Sequence, residues 1–425
     1  MLHSTMASPA RSPRAPRALA ALAGAGLLVA LPAAPSLAAD ARPGVVTVRT
    51  VQVGKPGNPA VGVVPFTDAI YASCADAPTT GPDCVSIGGV DHRYGIAELE
   101  TTVGQWVTFL NTVDPRGRDA HRLWTRSQGS TAWPGYGQVD RVRHARPGTH
   151  YRVAAKAWAD KPYGFATFLS AARFVNSLDN GTVLSRSRAH RHGVRYVTYR
   201  VRLSPRTERG MYDLRDPAAT RSRQSGFVVP SQDEWVKAAY YDPDGGGTLS
   251  YWKYPTNPGV FGDGSATAPH PTALDYSTGD VVNRRDQPLA GFRASGQPAP
   301  TWCPPAAQLS GGGCSTVNPF GMGASAYAKA FVGSLATVGQ ARTRSPWGTL
   351  DQGGNAVEWT DTITPPPSGR DGGRTWRRLH GGVANAPAYQ MWPSAVGLQP
   401  QDNAFFARTY PWLGFRVGVV GSLGR

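Results

Sequence analysis

Residues Ser345 to Asp361 read Ser-Pro-Trp-Gly-Thr-Leu-Asp-Gln-Gly-Gly-Asn-Ala-Val-Glu-Trp-Thr-Asp. Two tryptophans, three glycines and three carboxylates fall within these seventeen residues. Gly353 and Gly354 imply backbone angles, or a close approach of neighbouring chain, that a side chain would forbid. Asn355 and Glu358 offer oxygens, and Trp359 offers a large apolar anchor with a single N–H donor. The mix fits a structured loop that turns into a short strand and encloses either a cation or a buried polar knot.

On either side of this stretch the patterning is uneven. Val45 to Val53 alternates as a strand does, and His92 to Leu99 reads as a second strand. Thr101 or Thr102 then caps a helix whose apolar positions Val103, Trp106, Val107 and Leu110 share one face. Phe165, Phe168, Leu169, Ala172 and Val175 repeat at helical spacing within Trp158 to Leu178, an aromatic stripe that suits a core. Ser231 with Glu234 forms a capping box ahead of a helix that ends near Tyr240. Asp242 to Gly247 is a turn, and from Ser250 to Gln340 no periodicity survives. Phe415, Val417 and Val419 alternate with Arg416 and Gly418 as a closing strand.

The chain has 425 residues, 40% of them hydrophobic, with 50 glycines and 37 prolines. That length supports a sizeable core, and the glycine and proline content predicts many turns and few long helices. Arg11, Arg14 and Arg17 precede the apolar run Ala18 to Ala34, and Ser36-Leu37-Ala38 supplies small residues for cleavage. Residues 1–39 are therefore read as a secretory signal peptide, giving a secreted, extracellular protein with no membrane attachment after cleavage. One domain spans residues 43–422.

The formal charge is +16. Much of it is arginine in two basic insertions, about 115–152 and 186–223. Arginine interleaved with Tyr and Trp can bind nucleic acid, but in an exported chain an anionic extracellular polymer is the expected partner and no nucleic acid is. His190 and His192 lie in one of these stretches, read as a solvated loop from Ser187 to Arg195 because no third metal ligand sits nearby. Cys74, Cys84, Cys303 and Cys314 form two local pairs, and export makes disulfides the default, with Cys74–Cys84 and Cys303–Cys314 favoured by proximity among three connectivities.

Four ordered blocks carry a resemblance. Thr102-Val-Gly-Gln-Trp-Val-Thr-Phe-Leu-Asn111, Val229-Pro-Ser-Gln-Asp-Glu-Trp-Val-Lys-Ala-Ala-Tyr-Tyr241, Gly353-Gly-Asn-Ala-Val-Glu-Trp359 and Gly414-Phe-Arg-Val417 follow one another. Together they resemble the sulfatase-modifying-factor family, the formylglycine-generating enzyme domain, from about Tyr94 to Val420. The resemblance implies an α+β fold with much irregular structure, a variant of the C-type lectin fold. Its structural motif is Gly353, Gly354, Trp359, Gly381, Gly382, Gly414, Phe415 and Arg416.

The resemblance also implies sites. Formylglycine-generating enzymes oxidise a sulfatase cysteine with a copper-binding cysteine pair shortly before Gly-Phe-Arg, and this chain has no cysteine after Cys314. No thiolate pair is left there for Cu(I), so copper is not expected. A block usually written Arg-Gly-Gly-Ser-Trp is here His380-Gly381-Gly382-Val383-Ala384. The corresponding groove would be lined by His380, Asn385, Tyr389, Trp392 and Arg408. The family's loop-oxygen calcium site maps onto Asn355, Glu358 and Asp361, with Asp275 at another position; the alternative for Asn355 and Glu358 is a buried knot in which Arg416 takes part.

The reading that results is a secreted, non-catalytic domain on this scaffold that binds glycans, wall polymers or other proteins. The alternative is a formylglycine-generating oxidoreductase acting on a cysteine of a sulfatase-type substrate, here with Cys303 and Cys314. Acid–base chemistry by Glu358 with His380 is a third, weaker arrangement.

Overall fold

The computed structural model describes residues 43–78, 84–130, 137–245, 249–256, 274–275, 280–281, 335, 337–339, 344–367, 373–382, 388–402 and 412–423. The leader, Cys303, Cys314, Asn385 and Arg408 lie outside the described residues, as do the side chains of Asp275 and Tyr389.

In chain order the first elements are β1 (Val45–Val53), β2 (Val61–Val63), β3 (Ile70–Tyr71), β4 (Val85–Ile87), β5 (Tyr94–Ala97) and helix α1 (Val103–Val113). Then come β6 (Val139–Arg141), β7 (Tyr151–Val153), helix α2 (Phe168–Asp179), β8 (Thr182–Arg191), β9 (Val194–Arg202), β10 (Gly226–Val228) and helix α3 (Gln232–Tyr240). The last are β11 (Leu274–Asp275), β12 (Asp280–Val281), β13 (Val357–Thr364), β14 (Trp376–His380), β15 (Gly397–Pro400), β16 (Leu413–Gly414) and β17 (Gly418–Val420). The fold is mixed α+β, mostly short strands with three helices among the described residues and long irregular connections.

Valine-rich β1 is a central strand of a six-stranded sheet ordered β10-β17-β5-β1-β9-β8, antiparallel throughout. A four-stranded sheet runs β15-β14-β13-β16, in which β13 and β16 are parallel. Smaller sheets are β3-β2-β4, β6-β7 and β11-β12. Cys74 and Cys84 are disulfide-bonded beside the β3-β2-β4 sheet, with Cα atoms 5.4 Å apart, as their spacing suggested.

Each helix begins on a capping box. Thr102 accepts from Gln105 N and Gln105 Oε1 accepts from Thr102 N; Thr167 pairs with Ser170, and Ser231 with Glu234. The stripe on α1 buries Val103, Trp106 and Leu110, and Trp106 stacks on Tyr163 with ring centres 4.1 Å apart. Phe109, Phe174 and Phe415 complete this aromatic centre between α1, α2 and the main sheet. Helix α3 packs on β4, β5, β13 and β14, so it touches three sheets.

Three expectations shift. The helix expected over Trp158 to Leu178 starts only at Phe168, where Thr167 caps it; Phe165 instead bridges to Leu413 in extended form. The closing strand is split: Leu413–Gly414 belongs to the four-stranded sheet and Gly418–Val420 to the six-stranded one. Phe415, Arg416 and Val417 form the crossing between them, with Ala97 N donating to Val417 O at 2.7 Å and Thr101 N to Phe415 O at 2.9 Å. The stretch Ser187 to Arg195 is not a loop. It is the tip of the β8–β9 hairpin, closed by His192 (φ 50°) and Gly193 (φ 78°), the two left-handed residues of a tight turn.

Candidate functional site

The Ser345–Asp361 stretch folds back on itself before entering β13. Asp351 (φ 60°), Gly354 (φ 91°) and Asn355 (φ 60°) adopt left-handed backbone, a region Asn and Asp tolerate better than other side-chain-bearing residues. A Cβ on Gly353 would lie 3.1 Å from the ring of Pro255, and one on Gly414 2.9 Å from the Ala356 Cβ. Gly354 N donates 2.7 Å to Gly381 O, which ties the two glycine-rich blocks together. Trp359 is fully buried against Phe168, and its Nε1 donates to Ala166 O at 2.9 Å.

The polar groups of the stretch enter two buried networks. In the first, Arg416 Nε donates to Glu358 Oε2 at 2.6 Å and Arg416 Nη2 to Glu358 Oε1 at 2.5 Å. The remaining arginine donors reach Ala97 O, Glu98 O and Leu350 O, so the guanidinium is satisfied without water. Trp235 Nε1 adds a 2.8 Å bond to Glu358 Oε2. Asn355 Nδ2 donates to Glu100 Oε2 at 2.8 Å, and Ala356 N to Glu100 Oε1 at 3.0 Å. Burial first, then the neighbouring Asp351 and Glu358 charges, push the Glu100 carboxyl well above its ordinary range. Burial raises Asp351 to about 7.

The second network is centred on Arg221. Its Nε donates to Asp361 Oδ2 at 2.6 Å, while Nη1 and Nη2 bind Glu234 at 2.9 and 2.6 Å. Tyr212 OH also donates to Asp361 Oδ2, at 2.9 Å. His92, half-exposed, sits 2.9 Å from Glu234 Oε1 through Nε2, and Ser231 N donates to Glu234 Oε2 at 2.8 Å. Burial alone would raise the Glu234 carboxyl; Arg221, His92 and the Ser231 amide bring it down to about 2.

These geometries decide what the candidate metal ligands can do. Asn355, Glu358 and Asp361 do not converge on one point. Glu358 faces Arg416 with both oxygens, Asp361 faces Arg221, and the Asn355 amide is turned to Glu100. Calcium takes six to eight oxygens, and here a guanidinium occupies the bidentate face of Glu358, so that carboxylate is engaged in an ion pair. Among the described residues no group of three or more His, Cys, Asp or Glu is placed to share a metal.

Of the groove residues, His380 is fully buried and stacks on Trp235 with ring centres 5.2 Å apart. It is the direct cross-strand neighbour of Glu358, yet neither ring nitrogen is hydrogen-bonded within the described residues. Burial holds it down to about 3, so the ring is neutral and is not set up to exchange a proton with Glu358. Trp392 is partly exposed and lies under the Lys253 ammonium, 5.0 Å from its ring centre. Gly381 (φ 101°) and Gly382 (φ 66°) are left-handed turn residues.

Sequence reading did not single out Glu100, Asp351, Arg221 or His92. Each is one charged residue in an ordinary context, and only its partner far along the chain makes it a buried network member. Glu234 and Trp235 were legible as cap and core, without the carboxylate roles they take.

No family model and no curated protein matches this chain. Among solved structures, Treponema denticola variable protein 1 is similar at 14% identity and a TM-score of 0.39, over 88% of this chain and 95% of that one. A likeness of that degree carries no argument about fold or function. Among the described residues no helix is long and apolar enough to cross a membrane.

Proposed function

We propose that the chain is an exported, non-catalytic binding domain on a scaffold like that of the sulfatase-modifying factors, with extracellular glycans, wall polymers or proteins as its partners. One observation carries the reading. The chemistry-bearing side chains of the central block and its neighbours (Asn355, Glu358, His380 and Arg416) are all 0% exposed. Glu358 and Arg416 tie β13 to α3 and to the crossing at Phe415–Val417, Asn355 ties the central block to Glu100 ahead of α1, and His380 is a neutral ring in an aromatic stack. Recognition is then left to the surface, which is strongly basic.

Passage of the purified chain over immobilised acidic and neutral polysaccharides and cell-wall fragments tests the binding half, with retention expected on at least one matrix. Passage unretained through all of them overturns it. Incubation with a Cys-x-Pro-x-Arg peptide, copper and oxygen tests the other half. The peptide cysteine is expected to survive, and aldehyde formation sinks the non-catalytic reading.

A further inference from the structure

The β8–β9 hairpin has a charge pattern that neither its stability nor the rest of the sheet requires. From Thr182 to Thr207 the chain carries seven arginines and two histidines and not one carboxylate. Strand β8 is the outer strand of the six-stranded sheet, and it is exposed along nearly its whole length. None of the ion pairs among the described residues involves Arg186, Arg188, Arg191 or Arg195.

The register turns this composition into a row. Directly opposed residues of an antiparallel pair share a face, and side chains two apart on a strand do too. Arg186 lies opposite Tyr199, Arg188 opposite Val197 and His190 opposite Arg195. Arg186, Arg188, His190 and Arg195 therefore stand on one face of the ribbon, with neighbouring side chains of that row on β8 about 6.8 Å apart, two residues at about 3.4 Å each. Arg186 is steadied over the Tyr199 ring at 5.6 Å. Protection of an edge against pairing with another chain explains one or two charges on an outer strand, and lysine is the usual choice. It explains neither the use of arginine alone nor the exclusion of acids from both strands.

We infer that this face of the β8–β9 ribbon is a docking surface for a linear anionic polysaccharide bearing carboxylate or sulfate groups. The inference rests on the binding reading above and names its surface and ligand class. A linear row suits an extended polymer better than a compact anion, and the guanidinium fork matches planar or tetrahedral oxyanions through two parallel bonds. A single-stranded nucleic acid would need exposed rings on which to stack its bases. The ribbon's two tyrosines, Tyr196 and Tyr199, are 7% and 2% exposed, the latter covered by Arg186, so neither presents a free ring.

The test is salt elution of the full-length purified chain from immobilised heparin and polygalacturonate, with duplex and single-stranded DNA columns beside them. Arg186→Gln/Arg188→Gln/Arg195→Gln is compared with Arg116→Gln/Arg118→Gln/Arg143→Gln, which removes the same charge from the other basic segment. All three ribbon arginines are exposed, so thermal unfolding is expected to be unchanged and serves as the folding control. The ribbon variant is expected to bind the polysaccharides about tenfold more weakly or worse, and to elute at lower salt, while the control variant stays near the wild type. Equal losses in the two variants would mean non-specific attraction to net charge and overturn the inference. So would retention of the ribbon variant as strong as the wild type's, which leaves the binding reading standing with its surface elsewhere. Tighter binding to either DNA at equal salt overturns the ligand class. A wild type held by no polysaccharide or wall matrix overturns both.

Discussion

Arg416 holds Glu358 by two hydrogen bonds, at 2.6 and 2.5 Å, with both side chains wholly buried. The bond spans 58 positions and joins the strand β13 to the crossing between the two larger sheets. It is thus a tie between sheets, made where the chain leaves one for the other.

Breaking that tie from one side strands a charge in a low-dielectric interior. Glu358→Gln or Arg416→Met is expected to lower unfolding free energy by about 3–5 kcal/mol, measured by urea or thermal denaturation. Replacing both at once with apolar residues removes the stranded charge, so the double variant is expected to be more stable than either single one. A double variant no better than the worse single one would show that the pair is not the energetic unit.

The glycines around the tie make a second prediction. Gly354 and Gly381 sit at φ 91° and 101°, and a Cβ on Gly381 would approach Gln352 O to 3.1 Å. Alanine at either position is expected to cost about 1–3 kcal/mol through backbone strain. Gly353 has no left-handed angle, so Gly353→Ala acts only through its contact with Pro255, and a smaller loss is expected. Equal losses at all three positions in thermal denaturation would refute the conformational argument.

What was legible in the sequence follows from how local each signal is. The cap at Thr101 or Thr102, the capping box at Ser231 and the stripe on α1 need only neighbours within a turn, and all three are present, with Thr102 as the cap of α1. The β8–β9 ribbon was missed because arginine fills the alternate positions that a half-buried strand gives to neutral polar residues. Its turn is His-Gly, where Asn-Gly or Asp-Gly is the usual mark. The partners Asn355 and Glu100 lie 255 positions apart, and no local pattern reports such a pair. The pairing of Glu358 with Arg416 could be named as an alternative only because both fell inside blocks already recognised as motifs.

The Cys74–Cys84 bridge closes a short loop, with a sequence separation of 10. Constraining an unfolded loop of that length is worth about 2–3 kcal/mol in the chain-entropy account. Cys74→Ser/Cys84→Ser is expected to lower stability by about that amount while leaving α1 and the main sheet folded, because the bridge sits beside the small β3-β2-β4 sheet. Hydrogen exchange locates the effect: loss of protection should concentrate in β2–β4, and a uniform loss across β1, β5 and β9 would contradict the local assignment.

The second network is where pH should act. The hydrogen bond to Glu234 raises His92 above its usual 6.5; partial burial opposes this, and the Asp91 carboxylate adds to the rise. Of the nearby cations Arg221 stays charged near neutrality, whereas burial lowers Lys237 to about 8, so its charge falls away on the alkaline side. Glu234, held at about 2, stays ionised across the same range. A histidine whose folded value exceeds its unfolded one contributes stability that is complete below the unfolded value of 6.5 and disappears as pH rises through the folded value. His92 is 45% exposed, so screening limits the contribution to about 1 kcal/mol or less. The buried His380, lowered to about 3, and Asp351, raised to about 7, also change stability with pH, in opposite senses, and a direct wild-type curve mixes all three. Subtracting the His92→Gln curve from the wild-type curve cancels the common groups. The difference in thermal midpoint is expected to be largest at about pH 5–6 and to shrink towards zero at alkaline pH. A difference that does not change with pH would mean that the His92–Glu234 contact is an uncharged hydrogen bond and contributes no ion pair.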